Sequence, residues 1–166
     1  MPFDTQVNTV APGTLADFTS FGLIVPELRQ RDTAGIISEL SQVLQREGFV
    51  PDVLPFYHAA LNGELLSNSA SPFCIAFPHA RSSAIKRLQF AFGRTPQPVA
   101  WGANGLCRVQ LVFLLAVPAT DAAQYLHLLA SLARLERQPS IVEALRAASG
   151  SDAILEVLDR IGIRRV

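Results

Sequence analysis

The stretch CIAFPHARSS, residues 74–83, joins a run typical of a buried strand to side chains typical of chemistry. Residues 73–77 are mostly apolar and predict a strand, which ends at Pro78 because proline fixes one backbone dihedral and removes a hydrogen-bond donor. His79 and Arg81 follow at once. Loops after strand ends are where α/β folds bind ligands, so this stretch predicts a central strand with a functional site beside it.

Apolar periodicity on both sides of this stretch predicts helices that flank a group of strands. Upstream, the pattern predicts a strand near 23–25, a helix over about 33–47 and a second helix from 51 to the Asn-Gly pair at 62–63. Downstream it predicts strands at 88–92 and 107–117, with Trp101 exposed or half-buried in the turn between them, and helices starting near 121, 139 and 151. This order indicates an α/β (α+β) fold with a mixed sheet between helices.

The composition favours one globular domain. The chain has 166 residues, 49% of them apolar, and its 14 basic and 14 acidic residues cancel. We expect an N-terminal arm over residues 1–15 and one domain over 16–166. The balanced charge predicts no nucleic-acid partner, and no apolar run is long enough for membrane insertion.

Cys74 and Cys107 both lie in apolar runs, which favours two buried free thiols over a disulfide. That interpretation, with an N-terminus that lacks a signal-peptide pattern, predicts a cytoplasmic protein. We expect neither a metal nor a cofactor, because no close Cys/His spacing, P-loop or H-E-x-x-H pattern is present.

Three histidines are candidates for chemistry. His58 is interpreted as a helix-surface residue, and His127 either as an ordinary helix residue or as one that approaches a site. His79 is the strongest candidate, although an exposed loop histidine fits the same pattern. A neutral imidazole can accept and return a phosphoryl group, and Arg81 with the serines at 67, 69, 82 and 83 would supply an anion cradle. The scattered carboxylates, Glu64 among them, are interpreted as solvated helix faces.

Residues 63–81, GELLSNSASPFCIAFPHAR, resemble the signature of the type-2 enzyme IIA domains of the sugar phosphotransferase system (PTS), the fructose, mannitol and nitrogen-regulatory group. Glu64, Ile75, Ala76 and the run from Pro78 to Arg81 fit the family pattern without a gap. The similarity continues through VFLLAVPA and YLHLLASLARL, so it covers most of the chain from about 15 to 160.

The resemblance implies a three-layer α/β/α sandwich with a mixed central sheet. It implies that His79 accepts a phosphoryl group from an HPr-like phosphocarrier protein and passes it to a IIB domain, or holds it as a regulatory mark on a target protein. Ser69, Glu64, Arg81, Tyr125 and His127 are then the expected site-lining residues. The length of the chain favours the nitrogen-regulatory type, and apolar helix faces allow a homodimer.

The sequence also departs from the family pattern. Gly63 stands where the family has arginine, Asn68 and Ser69 stand for its Ser-Thr pair, and Tyr125 stands where it has a second histidine. His127 lies two positions further on, about 200° around a helix. The loss of two phosphate-binding groups motivates an alternative hypothesis, a IIA-like binding module that regulates a partner without being phosphorylated.

Overall fold

The computed structural model describes residues 13–163. Five strands and five α-helices form within this part of the chain. In chain order they are β1 (Ile24–Val25), α1 (Thr33–Arg46), α2 (Val53–Leu66), β2 (Ile75–Ala76), β3 (His79–Ser82), β4 (Gln89–Trp101), β5 (Cys107–Pro118), α3 (Ala122–Glu136), α4 (Pro139–Ala147) and α5 (Ser151–Asp159). None of the described helices is both long and apolar enough to cross a membrane.

The five strands form one mixed sheet. The order is β1-β4-β5-β2, and β3 also pairs with β5, so β2 and β3 lie one after the other along the same edge. The long β4 and β5 strands pair antiparallel, while β1, β2 and β3 each pair parallel. The sequence prediction of a mixed sheet is confirmed.

Two hydrophobic clusters cover the two faces of this sheet. Alternate residues of β5 point to opposite sides, with Val112 and Leu114 in one cluster and Phe113 and Leu115 in the other. The first cluster contains the apolar side chains of α1 and α2, and the second contains those of α3, α4 and α5. The β5 strand is buried on both faces, as its continuous apolar run predicts.

Several boundaries differ from the sequence prediction. The second helix continues through Asn62 and Gly63 to Leu66, because packing of its inward face outweighs the local turn signal. That face carries Phe56, Ala60 and Glu64, whereas Leu54 is 62% exposed.

The segment around the opening stretch is also more broken than predicted. Only Ile75 and Ala76 of the expected strand at 73–77 pair as β2, after a tight turn in which Cys74 has φ +63°. His79 lies in β3, not in a loop, because the chain returns to the edge of β5 directly after Pro78, whose carbonyl accepts from the Leu115 N–H at 2.9 Å.

The expected turn at 96–105 is strand as far as Trp101. An irregularity between Arg94 and Val99 interrupts the ladder, and pairing then resumes to Trp101, opposite Cys107. Trp101 was expected to be exposed or half-buried, and it is fully buried in the cluster beneath α1 and α2.

Arg94 joins three separate segments. Its guanidinium donates to the carbonyls of Leu145, Arg146 and Ala148 at 2.8–3.1 Å, where α4 ends, and to the Pro26 carbonyl at 2.9 Å. Burial lowers the pKa of Arg94 and nearby Glu27 raises it, but a guanidinium stays protonated under ordinary conditions. Arg94 therefore satisfies the last carbonyls of α4 with a positive charge.

The two ends of the described chain lie side by side. Thr14 and Gly162 form an antiparallel bridge, and the Leu15 N–H donates to the Ile161 carbonyl at 2.9 Å. Leu15 itself is fully buried. Residues 1–12 of the predicted N-terminal arm lie outside the described residues.

Candidate functional site

His79 is the first residue of β3 and lies opposite Leu115 in the register with β5. It is exposed, while Pro78 and Ala80 on either side are buried. Its ring Nδ1 lies 3.4 Å from the Phe77 carbonyl oxygen. A carbonyl can only accept, so a hydrogen bond at this contact uses the tautomer with the proton on Nδ1, and in that neutral tautomer the Nε2 lone pair is free.

Arg81 and Tyr125 lie beside this imidazole. Residues two apart in a strand point to the same side, so Arg81 follows His79 on one face of β3. The Tyr125 ring, in the first turn of α3, has its centroid 5.9 Å from that of His79, and the Arg81 guanidinium carbon lies 5.5 Å from the Tyr125 centroid. Burial raises the pKa of Tyr125, against an opposing effect of Arg81, so the phenol is a protonated donor at neutral pH.

Glu64 and Ser69 form a second layer behind the imidazole. The Glu64 carboxylate accepts from the Trp101 Nε1–H at 2.8 Å and from the Ser69 N–H at 3.1 and 3.2 Å. The Ser69 hydroxyl oxygen accepts from the Phe77 N–H at 2.7 Å. Glu64 is only 3% exposed, so its interpretation as part of a solvated helix face is wrong. The packing of Trp101 beneath α2 buries it.

His127 occupies a different part of α3. It is half-buried, and the hydrogen bond found at this residue uses its backbone carbonyl, which accepts from the Ser131 hydroxyl at 2.9 Å. The two-residue step from Tyr125 turns its side chain about 200° around the helix. Of the two, Tyr125 is the residue whose ring lies near His79.

Trp101 is the residue that sequence reasoning missed. In the structure Val99 and Trp101 are buried while Ala100 between them is exposed, the alternation of a half-buried strand, but all three residues are apolar and the sequence alone does not display it. The prolines at 96 and 98 made a turn the stronger interpretation. Within residues 13–163, no cluster of three His, Cys, Asp or Glu side chains is arranged to hold a metal ion.

Comparison with known proteins agrees with this geometry. The family model "Phosphoenolpyruvate-dependent sugar phosphotransferase system, EIIA 2" matches residues 18–161. A nitrogen regulatory protein of Bradyrhizobium diazoefficiens is 30% identical over 87% of this chain and 94% of its own length. By contrast, the chain spans only 21% of the fructose-specific EIIABC component of Bacillus subtilis, to which it is 29% identical over 80% of its own length.

Two solved structures extend the comparison. The nitrogen regulatory protein IIA-Ntr of Neisseria meningitidis superposes with a TM-score of 0.76 and 27% identity, covering 87% of this chain and 98% of that one. The Escherichia coli complex of enzyme IIA-mannitol with phosphorylated enzyme IIB-mannitol gives a TM-score of 0.70 at 20% identity, over 82% and 94%, which supports the fold alone. The expected α/β fold and the family resemblance are both confirmed. The chain belongs to the EIIA 2 family of the phosphoenolpyruvate-dependent sugar phosphotransferase system.

Proposed function

We propose that this protein is a phosphoryl carrier and that His79 is its phosphoryl acceptor. The observation that carries the proposal is an exposed imidazole whose Nδ1 faces a carbonyl and whose ring lies 5.9 Å from the Tyr125 ring, over which the Arg81 cation is placed. A free lone pair next to donors for an incoming anion is what a phosphoryl acceptor needs.

The step we infer is an in-line transfer. The Nε2 lone pair forms a bond to phosphorus while the bond from phosphorus to the donor atom of the carrier breaks, and its electron pair leaves with the carrier. The ring gains positive charge and keeps its Nδ1 proton, and the Nδ1–H donates a hydrogen bond to the Phe77 carbonyl. Arg81 and the protonated Tyr125 phenol offset the charge on the phosphoryl oxygens.

We further propose the partners that this chemistry requires. An HPr-like phosphocarrier protein would donate the group, and a IIB domain or a regulatory target protein would receive or respond to it. The fructose-specific EIIABC component of Bacillus subtilis and the nitrogen regulatory relative support these two routes. A cytoplasmic location is consistent with the free thiols of Cys74 and Cys107. The homodimer stays a prediction.

The proposal is tested by incubating the purified protein with labelled phosphoenolpyruvate, enzyme I and an HPr-type carrier. We expect one phosphoryl group per chain, labile in acid and stable in base. If no carrier of the sugar or nitrogen branch transfers label, the phosphoryl-carrier proposal is wrong.

The Arg81 cation is expected to accelerate this labelling. Replacement of Arg81 by Gln removes a charged donor, and charge-assisted hydrogen bonds contribute about 1.5–3 kcal/mol, so labelling should slow by about 10- to 100-fold. Arg87→Gln is the matched control, because Arg87 also stacks on an aromatic ring, that of Phe49 at 5.9 Å. Equal rates for the two variants in stopped-flow or quench labelling would show that Arg81 does not act at the site.

The second candidate is the binding module that acts without phosphorylation. Gly63 and Tyr125, at the positions of the family's arginine and second histidine, favour it. A side chain fits at position 63, since Gly63 is exposed in α2 and a Cβ added to it would meet no atom within 4 Å.

We therefore expect the double variant Gly63→Arg/Tyr125→His to fold. Loss of a helical glycine should raise the free energy of unfolding by about 0.5–1 kcal/mol in urea titrations of the Gly63→Arg single variant. If the natural protein is a phosphoryl carrier, the double variant labels about tenfold faster. If the double variant is labelled and the natural protein is not, the natural protein is a binding module that acts without phosphorylation.

A further inference from the structure

A continuous set of hydrogen bonds links the buried end of β4 to the imidazole. It begins at the Trp101 indole N–H, passes through the Glu64 carboxylate to the Ser69 backbone N–H, and continues from the Ser69 hydroxyl to the Phe77 N–H. The Phe77 carbonyl then faces Nδ1 of His79. No contact in this set exceeds 3.4 Å between the bonded atoms.

Burial makes the first link obligatory. Glu64 is 3% exposed and Trp101 is fully buried, so neither group can exchange its partner for water at low cost. The carboxylate is therefore held between the indole and the Ser69 backbone. Networks of this kind in a low-dielectric interior restrict the geometry of every member.

The second link restricts the residue that faces the ring. The Phe77 N–H is held by the Ser69 hydroxyl oxygen at 2.7 Å, and Pro78 restricts the backbone on the other side. The Phe77 ring also stacks on Phe113, with centroids 5.5 Å apart. With its N–H and its side chain both fixed, Phe77 presents its carbonyl in one direction.

We propose that Trp101 is a positioning residue for His79, acting through Glu64, Ser69 and Phe77 to hold the imidazole in the tautomer with the proton on Nδ1. This inference rests on the proposed function, in which the free Nε2 accepts the phosphoryl group. In this path Trp101 donates to Glu64, and it acts on the ring only through Ser69 and the Phe77 carbonyl.

The test variant is Trp101→Phe, which keeps an aromatic side chain in the core and removes the N–H donor. In ¹⁵N-labelled protein, the ring nitrogen shifts of His79 report the tautomer directly. We expect the fraction with the proton on Nδ1 to fall, and the labelling rate from an HPr-type carrier to fall about threefold to tenfold. Val43→Ala removes bulk from the same hydrophobic cluster and is the control for lost packing.

The Ser69 hydroxyl offers an independent break in the same path. Ser69→Ala should shift the tautomer as Trp101→Phe does, whereas Ser69→Thr keeps a hydroxyl and should restore the natural ratio. If the two residues act along one path, the change in tautomer fraction in the double variant Trp101→Phe/Ser69→Ala is smaller than the sum of the changes in the two single variants. The serine variants test the path even where the tryptophan variant fails to fold.

A purely structural role of Trp101 gives a different result. If Trp101→Phe and Ser69→Ala lower the melting temperature as Val43→Ala does but leave the His79 ring shifts unchanged, Trp101 is a core residue only and the inference is wrong. Because the ring shifts are measured without any carrier, this outcome is distinct from an absence of phosphoryl transfer in the natural protein.

Discussion

His79→Ala is expected to abolish phosphoryl labelling completely. His127 lies on another side of α3. His58 also has a tyrosine beside it, Tyr57 at 5.3 Å between ring centroids, but among the described residues the arginines that lie over aromatic rings are at Tyr125 and Phe49, not at Tyr57. Without the imidazole, Arg81 and Tyr125 remain, but the nitrogen that forms the bond to phosphorus is gone. The measurement is acid-labile label per chain after incubation with phosphoenolpyruvate, enzyme I and an HPr-type carrier.

The controls for His79→Ala are its stability and the other two histidines. Because His79 is exposed, the substitution should change the free energy of unfolding by less than about 0.5 kcal/mol, so loss of label cannot be attributed to unfolding. His58→Ala and His127→Ala should label normally. Full labelling of the His79→Ala protein, or its loss in His127→Ala, would move the acceptor to a different side chain.

Arg94→Met is expected to be strongly destabilising. Arg94 donates to four carbonyls on two segments, including three at the end of α4. Each hydrogen bond from a charged donor contributes about 1.5–3 kcal/mol, but the bonds share one guanidinium, so we expect a combined loss of about 3 kcal/mol. At about 2–4 °C per kcal/mol for a chain of this size, the melting temperature falls by about 6–12 °C.

Arg46→Met is the matched control for this loss. Arg46 also donates to a backbone carbonyl, that of Gly22 at 3.1 Å, and pairs with Glu47, but its side chain is 64% exposed. Exposed pairs contribute at most about 1 kcal/mol, so Arg46→Met should change the urea midpoint much less. Equal effects of the two replacements would mean that Arg94 does not hold α4 to the sheet.

The parts of the fold set by local apolar periodicity and helix caps were predictable from the sequence. The β5 strand, the capped start of α3 at Asp121, whose side chain accepts from the Gln124 N–H at 3.2 Å, and the helix opened by Pro139 all lie where the pattern places them. Each depends on residues close together in the chain, because apolar periodicity and helix capping both involve residues only a few positions apart.

The parts decided by contacts between distant residues were not predictable. Trp101 and Glu64 are 37 residues apart, and neither position alone indicates that an indole N–H meets a buried carboxylate. The continuation of α2 past Gly63 has the same origin, because the burial of Glu64 holds the helix beyond its local stop signal. The family pattern pointed to Glu64 without giving its partner.

The bridge between Thr14 and Gly162 has a consequence for protein architecture. Since the backbones of Gly13 and Ile163 are themselves hydrogen-bonded at 2.7 Å, the fold is close to a closed loop. A short linker joining residue 13 to residue 163, with new ends opened at the Gly102–Gly105 turn, should yield a circular permutant of the described domain that keeps the sheet intact. Because these two ends lie together, the domain can also be inserted into a loop of a longer protein, with the chain entering and leaving the domain at nearly the same position.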